Sequence, residues 1–348
     1  MSIKSFHSNL IQYLYMQKQI DFLAVGDIVT DAFIALNEES TWIEKDNPQK
    51  SKELCMAFGD KLPYDSVKVL AAVGNSPNAS VGAHRLGLTS ALVTNLGDDK
   101  FGIEQKETLE GQGVITDYVK VHEGKDSNYH YVLRLGAERT ILVKHTEWDY
   151  EFPEIELGPK FLYLSSLAEN SLPHHQDIVE YLKKHPETKL AFQPGTFQMK
   201  LGKDKLKEVY ENTEVFFCNK EEAQRILETE ETDFKELLKM MHSIGPKIVA
   251  LTDGPDGSYA YDGETAWFIP MYPDPAPPVE RTGAGDSFAS AFTSALILGK
   301  TIPEALQWGP VNSMNVVQHI GAQEGLLTRE EHQEWLEKRP DYFVAKEI

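Results

Sequence analysis

The sequence predicts an α/β fold with a mainly parallel sheet, and three observations support this prediction. Short, almost continuously apolar runs recur along the chain and end in Gly, Asp, Asn or Ser, as is typical of strands buried on both faces of a parallel sheet. Segments with helical spacing of apolar residues separate these runs. Alternation of strands and helices indicates a layered α/β fold with right-handed crossovers. We therefore expect a ligand site beyond the carboxyl ends of the strands.

The predicted elements follow one another in a simple order. The strand-like runs are residues 21–28, 90–97, 160–167, 188–195, 215–220 and 247–254. The helix-like segments are residues 76–86, 103–112, 174–184, 203–212, 220–228 and 233–243. A further helix is predicted after residue 285 by apolar side chains three and four residues apart, namely Phe288, Phe292, Ala295 and Leu296.

Two regions interrupt this alternation. Residues 32–72 are charged and irregular, and the stretch "SNYHYVLRLGAERTILVKH" (127–145) resembles a hairpin with a turn at Gly136-Ala137. We expect segments of about 32–72 and 120–146 to form a small β-rich lid that projects from the main sheet. Because no linker isolates the lid, residues 1–348 should form a single domain, with residues 1–20 as an N-terminal extension.

Composition excludes several classes of function. The formal net charge of -20 argues against non-specific nucleic-acid binding, which requires basic patches. No apolar run reaches the roughly 18 residues of a membrane span. The two cysteines, Cys55 and Cys218, form neither a disulfide framework nor a zinc-type spacing, so we expect a reducing, cytoplasmic location. Residues 1–15 make a poor signal peptide, and the sequence does not tell whether they belong to the natural protein.

The stretch "TGAGDSFASAF" (282–292) places three small residues and one carboxylate at a helix start. The backbone N–H groups of Gly283, Ala284 and Gly285, together with the helix dipole, would form an anion site. A carboxylate at the edge of that site, Asp286, suits phosphoryl transfer as a base. The alternative is an ordinary helix N-terminus with a favourable acidic residue.

The stretch "AAVGNSPNASVGAHRLGL" (71–88) predicts a helix with Ser76 as its N-cap and Gly87 at its end. Capping does not explain the polar tip in front of the helix. Groups at such a tip are good donors for sugar hydroxyls, and they are Gly74, Asn75 and Asn78.

Two further stretches allow a structural and a functional interpretation. In "NKEEAQRIL" (219–227), Asn219 and Glu222 have capping-box spacing, and Glu222 could also hold a water on phosphate-bound Mg²⁺. In "LTDGPDGSYAY" (251–261), Pro-Asp-Gly predicts a turn between two strands. Its Thr-x-Gly-x-x-Gly pattern also allows close backbone approach to a nucleotide, through Thr252, Gly254 and Gly257.

Taken together in this order, these stretches resemble the ribokinase-like (PfkB-type) family of carbohydrate and nucleoside kinases, over about residues 21–330. The most specific element is "TGAGDSFASAF". The segments "NSPNASVGAHRLG", "NLGDDKFG", "GAERTI", "NKEEA", "TDGPDG" and "IGAQEG" also occur in the expected order. The resemblance implies a three-layer α/β/α sandwich with a mainly parallel central sheet and a small β-sheet lid over the substrate.

The resemblance also implies an activity and a set of roles. The expected reaction transfers the γ-phosphate of ATP to a hydroxymethyl group of a small carbohydrate, with Asp286 as general base and the amides of 283–285 as anion hole. The remaining implied roles are Mg²⁺ and phosphate contacts at Asn219 and Glu222, nucleotide contacts at Thr252, Gly254 and Gly257, and sugar contacts at Asp31, Gly74 and Asn78.

The chain departs from the family pattern mainly on the substrate side. Val73 replaces a glycine, and Gln193 stands where relatives often have Asp or Asn. Glu280 and Arg281 replace the usual Asp-Thr, so a K⁺ site involving Glu280 and Thr282 becomes doubtful. Arg281 either pairs with Glu280 or contacts the substrate or the transferring phosphate. The sequence therefore favours a kinase without naming its sugar.

Two other functions fit the same residues. A nucleoside kinase is one, since Tyr129, Tyr131 and Trp42 could stack on a base, although the lid position favours packing against its own sheet. The other is a non-catalytic, metabolite-binding member of the fold.

The partners expected from the sequence are a small sugar or nucleoside and a second copy of the chain. The edges and apolar residues of a small exposed sheet need cover, and two copies could provide it in a symmetric dimer. The lid residues considered for this contact are Tyr131, Leu133, Ile141 and Val143.

Overall fold

The structure is a computed structural model that describes residues 19–44, 52–136 and 138–348. Most of the predicted extension at residues 1–20, part of the first lid segment at 45–51, and Ala137 of the predicted hairpin turn lie outside the described residues.

Sixteen strands occur in the described ranges. They are β1 (Phe22–Val25), β2 (Val29–Leu36), β3 (Thr41–Glu44), β4 (Glu53–Met56), β5 (Tyr64–Val73), β6 (Ser90–Gly97), β7 (Val119–His122), β8 (Tyr129–Leu135), β9 (Glu138–Leu142), β10 (Phe161–Leu164), β11 (Lys189–Phe192), β12 (Thr213–Asn219), β13 (Ile248–Thr252), β14 (Ser258–Tyr261), β15 (Ala266–Ile269) and β16 (Lys346–Glu347).

The same ranges contain ten α-helices. They are α1 (Asn75–Arg85), α2 (Lys100–Gly111), α3 (Leu172–Lys184), α4 (Thr196–Leu201), α5 (Lys207–Glu211), α6 (Lys220–Leu227), α7 (Phe234–Ser243), α8 (Ala284–Ile297), α9 (Ile302–Val316) and α10 (Arg329–Glu337). None of these helices has the length and apolarity needed to cross a membrane.

The main sheet has ten strands in the order β16-β15-β14-β13-β12-β11-β10-β1-β6-β7. Seven neighbouring strands are parallel, in the order β13-β12-β11-β10-β1-β6-β7, while β14, β15 and β16 extend the sheet in antiparallel fashion. Its two faces are covered by separate apolar cores: Phe22 and Ala24 belong to one core, and Leu23 and Val25 to the other. This burial on both faces explains the continuous apolar runs.

Helices cover both faces of the main sheet, as predicted. The first core includes residues of α1, α2, α8, α9 and α10, and the second includes residues of α3, α5, α6 and α7. The fold is therefore the expected three-layer α/β/α arrangement.

A separate four-stranded sheet, β5-β2-β8-β9, is called here the lid sheet. Its β8–β9 hairpin confirms the pattern predicted at 127–145. The boundaries differ from those predicted: the first lid strand begins at Val29, and β7 pairs with β6 in the main sheet, so the second segment begins after His122. Strands β3 and β4 form a separate two-stranded ribbon.

The start of α1 also differs from the prediction. Gly74, with φ of 122°, is the N-cap, while Ser76 lies inside the helix. The Ser76 hydroxyl donates to the carbonyl of Val25 at 2.8 Å and bonds the hydroxyl of Ser165 at 2.5 Å. Ser76 thus ties α1 to the ends of two sheet strands instead of capping the helix.

The helix predicted at 203–212 is shorter than expected. Only Lys207–Glu211 is α-helical. The preceding helix, α4, ends before Gly202, which has φ of 84°, and turns occupy residues 203–206.

Candidate active site

Helix α8 presents Asp286 in its first turn. The carboxylate is buried, with 8% of the residue exposed. It accepts hydrogen bonds from the amide nitrogens of Asn75 at 2.7 Å, Asn78 at 2.8 Å and Gln193 at 3.2 Å. Asn75 and Asn78, predicted to contact sugar hydroxyls, thus bind the carboxylate directly, so α1 and the residue that follows β11 fix its orientation.

Burial raises the pKa of Asp286, and the three amide hydrogen bonds lower it in part. Desolvation makes the charged form less favourable, so the group accepts a proton more readily than an exposed aspartate does. A carboxylate in this state is suited to general-base chemistry.

The turn before Asp286 exposes backbone donors. Gly283 is the N-cap of α8 with φ of 82°. The Ala284 N–H makes a long 3.4 Å bond to the carbonyl of Arg281, and no acceptor among the described residues bonds the N–H of Gly283 or Gly285. Free amides at a helix N-terminus form a ready anion site.

The loop of residues 320–325, called here the late loop, packs against this turn. The buried Glu280 carboxylate accepts the N–H of Gly321 at 3.0 Å and the hydroxyl of Thr282. A Cβ added to Gly283 would lie 2.3 Å from the Cβ of Ala322. The loop at 321–322 therefore fixes the position of the turn.

Two cavities meet at the turn. The first, called the lid cavity, measures about 430 Å³ and lies between Asp286 and the lid residues Asp31, Phe33 and Ile141. The second, called the loop cavity, measures about 680 Å³ and lies against the Gly254–Asp256 turn. Both cavities are lined by Asn219, Thr252, Arg281, Gly285 and Phe288.

Most of the predicted site residues line one or both cavities. The lid cavity receives Asp31, Gly74, Asn75, Asn78, Asn219, Glu222, Thr252, Thr282, Gly283, Gly285 and Asp286. The loop cavity receives Asn219, Thr252, Gly254, Ala284 and Gly285.

Two predicted site residues lie outside both linings. Gly257, with φ of 110°, packs so closely that an added Cβ would lie 2.5 Å from the carbonyl oxygen of Ile269. Its lack of a side chain is explained by this packing between strands. Glu280 lies on the side of the turn away from the cavities, where its carboxylate accepts hydrogen bonds from Thr282 and Gly321.

Asn219 and Glu222 confirm the capping interpretation of their motif, and both also line the lid cavity. They form the capping box of α6: the Asn219 N–H donates to Glu222 at 2.9 Å, and the Glu222 N–H donates to Asn219 at 2.8 Å. Burial raises the pKa of Glu222, and the negative charge of Asp286 adds to this effect. The two carboxylates therefore act on each other across the lid cavity, where a divalent cation would relieve their repulsion.

Arg281 does not pair with Glu280. The Glu280 carboxylate is occupied by Thr282 and Gly321, and the Arg281 side chain is exposed and lines both cavities. It therefore lies at the junction between the cavities.

Several lining residues were not predicted from the sequence. The lid contributes Phe33, Ile141 and Arg139 to the lid cavity. Gln323, which lines neither cavity, donates to Asn78 at 3.0 Å. Alternation along β2 and β9 could have placed Phe33, Arg139 and Ile141 on one face. The contact of Gln323 with Asn78 joins residues 245 positions apart, and no local pattern indicates it.

Asp27 lies at the end of β1 but lines neither cavity. The Tyr150 hydroxyl contacts both of its carboxylate oxygens at 2.9 Å, and His145 Nδ1 lies 3.9 Å from Oδ2. Burial raises the pKa of Asp27 to about 7. Burial and then the neighbouring His130 lower the pKa of His145 to about 4.

We expect Asp27 to make folding stability depend on pH. Between about pH 4 and pH 7 the unfolded chain releases a proton that folded Asp27 retains. The unfolding free energy that protonated Asp27 contributes is therefore lost as the pH rises to about 7. Buried histidines change stability with pH in the opposite direction. The reference is therefore the Asp27→Asn variant, which keeps the histidines but does not titrate at residue 27. The unfolding free energy of the parent relative to Asp27→Asn, measured in urea, should fall by a few kcal/mol over this range. Parallel profiles would contradict the assignment.

Comparison with known proteins decides the family. The model for "pfkB family carbohydrate kinase" matches residues 65–329, more than half of the chain. The chain belongs to this family. It is 28% identical over 271 residues to the ribokinase of Bacillus subtilis, covering 76% of this chain and 87% of that protein. It is 25% identical over 324 residues to an ATP-dependent 6-phosphofructokinase of Thermoanaerobacterium thermosaccharolyticum, covering 89% and 91% respectively.

Solved structures confirm the ribokinase-like fold. The nucleoside kinase of Methanocaldococcus jannaschii superposes with a TM-score of 0.72 at 20% identity, covering 92% of this chain and 99% of that one. The family match and the curated relatives, not the superposition, show the activity: the chain is an ATP-dependent kinase that phosphorylates an alcohol group, a sugar or nucleoside kinase of the PfkB type.

Proposed function

We propose that this pfkB-family protein is an ATP-dependent sugar kinase that transfers the γ-phosphate to a hydroxymethyl group of a small carbohydrate. One observation carries the proposal: the lid cavity and the loop cavity meet at the turn of 283–285, and Asp286 faces the lid cavity. This arrangement suits a sugar on one side, a nucleotide on the other, and phosphoryl transfer between them.

The proposed chemistry uses groups already oriented by the fold. The substrate hydroxyl in the lid cavity gives its proton to the Asp286 carboxylate while its oxygen forms the new bond to the γ-phosphorus. The bond between that phosphorus and the bridging oxygen breaks, and ADP leaves. The backbone N–H groups of the 283–285 turn stabilise the negative charge of the transferring group. The amides of Asn75, Asn78 and Gln193 keep the carboxylate aimed at the hydroxyl.

Magnesium fits the carboxylate side of the junction. Mg²⁺ prefers oxygen ligands and keeps several waters, and Glu222 and Asn219 line the lid cavity together with Asp286. When bound with the nucleotide, the ion would neutralise phosphate charge. Glu222 would hold one of its waters.

Glu222→Gln should separate the magnesium role from the capping role. Glutamine also completes a capping box, so stability should change by less than about 1 kcal/mol. Loss of the charge should raise the magnesium needed for half-maximal activity by about 10- to 100-fold, as for residues one step beyond a metal. Steady-state rates over a magnesium titration measure this.

The matched control is Glu304→Gln in the capping box of α9, which is formed with Thr301 and lines neither cavity. Identical magnesium profiles for Glu222→Gln and Glu304→Gln would assign Glu222 to capping alone.

The proposed reaction includes no step through K⁺. Both oxygens of Glu280 accept hydrogen bonds, from Thr282 and Gly321, and Glu280 lines neither cavity, so we assign this pair to holding the turn. Turnover in potassium salts compared with tetramethylammonium salts checks the requirement directly.

The lid residues give little support to the nucleoside alternative. Tyr129, Tyr131 and Trp42 do not line the lid cavity. Tyr129 packs on Phe101, with ring centroids 4.6 Å apart, and Tyr131 is 48% exposed.

The metabolite-binding alternative requires that Asp286 and the backbone N–H groups of the turn have no catalytic role. The test is ADP release with a panel of hydroxymethyl sugars and nucleosides. Turnover with nucleosides alone, or with no compound, would overturn the proposal.

We also propose that two copies associate through the outer face of the lid sheet. Directly paired residues project on one face, and the register places apolar side chains together there: Ile34, Val67, Val69, Tyr131, Leu133 and Leu142. Of the residues first considered, Ile141 lines the lid cavity instead. Val67, Val69 and Leu142 are 49%, 48% and 52% exposed, which leaves an apolar face to be covered.

Sedimentation at micromolar concentration should find a dimer for the parent and a monomer for Val69→Glu. A charge at the centre of an apolar interface is costly because it is desolvated without a partner. Val121→Glu is the control, since Val121 is equally exposed, at 49%, but lies on β7 in the main sheet. A monomeric parent would contradict the proposal.

A further inference from the structure

Two arginines lie directly opposite each other in the lid hairpin. Arg134 of β8 and Arg139 of β9 are register partners, so their side chains leave the sheet on the same face. Arg139 lines the lid cavity. The hairpin therefore brings two guanidinium groups to the cavity side of the lid sheet.

This pairing is unfavourable unless an anion accompanies it. Like charges directly opposite each other destabilise a pair of strands. Among the described residues, no ion pair or hydrogen bond joins either guanidinium to another group. Lys68, on the same face through its pairing with Phe33, differs because it bonds Glu324 at 2.5 Å. Within the described ranges, the two arginines thus lack a neutralising partner of the kind that Lys68 has.

The overall composition makes this local charge more unusual. The chain has a net charge of -20 and contains seven arginines. Two of the seven form this pair, and a third, Arg281, lines the junction of the two cavities. Local guanidinium groups therefore oppose a strongly negative protein field at the site, where an anionic ligand must approach.

The position of the pair defines which part of a ligand it would meet. Asp286 and the 283–285 turn lie on the main-sheet side of the lid cavity, and Arg139 lies on the lid side. A substrate with its accepting hydroxyl at Asp286 would extend its far end toward the lid. At about 430 Å³, the cavity is within the range of small-molecule sites.

We propose that Arg139, with Arg134 beside it, binds an anionic group of the sugar, a phosphate or a carboxylate, at the end distant from the hydroxyl that faces Asp286. This inference rests on the proposed sugar-kinase function. Guanidinium groups bind both kinds of oxyanion through paired, charge-assisted hydrogen bonds. Such a group would also neutralise the two positive charges of the hairpin.

Three probes with a free hydroxymethyl group test the proposal: fructose, fructose 6-phosphate and 2-ketogluconate. Binding is measured by calorimetry, and turnover is measured by ADP release. We expect at least one anionic probe to bind about tenfold or more tightly than fructose. The member of the anionic pair that is preferred identifies phosphate or carboxylate as the recognised group.

Arg139→Gln should weaken binding of the preferred anionic probe by about 10- to 100-fold, the range for a lost charged hydrogen bond. The preference over fructose should shrink by the same factor. Arg134→Gln should have a smaller effect in the same direction, and Arg139→Lys should restore part of the loss. The control is Lys144→Gln, which removes one charge near the lid, where Lys144 pairs with Asp126 at 2.9 Å outside both cavities.

The outcomes separate this inference from the kinase proposal. If fructose is phosphorylated and no anionic probe binds more tightly, the anion site is wrong and the kinase stands. If an anionic probe binds through Arg139 but no probe is phosphorylated, the anion site stands and the sugar-kinase proposal loses its support. Equal effects of Arg139→Gln and Lys144→Gln would overturn the anion site whatever the turnover.

Discussion

Asp286→Asn should lower turnover by about 10²- to 10⁴-fold, the range for loss of a general base, while the fold and nucleotide binding remain. Asparagine fits the same volume but cannot accept the proton of the attacking hydroxyl. Because both oxygens of Asp286 accept amide hydrogen bonds, the new NH₂ group would face a donor. Removing a buried charge offsets that cost. Single-turnover rates and calorimetric nucleotide affinity measure the two effects separately.

The control for this variant is Asp27→Asn. Asp27 is as buried as Asp286, at 6% against 8% exposed, but lies outside both cavities. If Asp286→Asn retains turnover within about threefold of the parent, the general-base assignment is wrong, since general-base catalysis supplies far more than that. Loss of nucleotide binding together with turnover would instead indicate a structural role.

The layers of the fold could be predicted because their cause is local. Strand β6 was predicted at residues 90–97 and occurs at Ser90–Gly97 with every residue buried. A strand between two cores must be apolar on both faces, and this requirement appears directly in the sequence. The Ser76 prediction failed because N-capping is only one use of a serine hydroxyl. Its bond to the carbonyl of Val25, 51 residues away, depends on packing that no local window contains.

The composition of the site could be predicted more fully than its connections. The Gly-Ala-Gly turn and Asp286 are adjacent in sequence, so local reasoning found them. The contacts of Asp286 with Asn75 and Asn78 span 211 and 208 residues and depend on how α1 and α8 pack. The position of Arg139 in the lid cavity was missed for the same reason, since it depends on strand register. Residues that hold or select a substrate are therefore the hardest to identify from sequence alone.

Gly283→Ala should lower turnover by about 10²- to 10³-fold, the range for loss of one preorganised donor to a developing anion. Gly283 has φ of 82°, a conformation that costs other residues free energy. An added Cβ would lie 2.3 Å from the Cβ and 2.6 Å from the Cα of Ala322, so the turn must move. Stability should fall by about 1–3 kcal/mol, and the amides of 283–285 should lose their alignment with the transferring phosphate.

Gly299→Ala is the matched control at the opposite end of α8. Gly299 has a similar φ of 79°, but no atom lies within 4 Å of its added Cβ. It should therefore show the conformational cost without the clash, and it should keep full turnover. Thermal unfolding and turnover are measured for both variants at a temperature where each remains folded. A large loss of turnover in Gly283→Ala alone assigns the effect to the position of the turn. Equal turnover in the two variants would mean that the turn's amides do not stabilise the transferring phosphate.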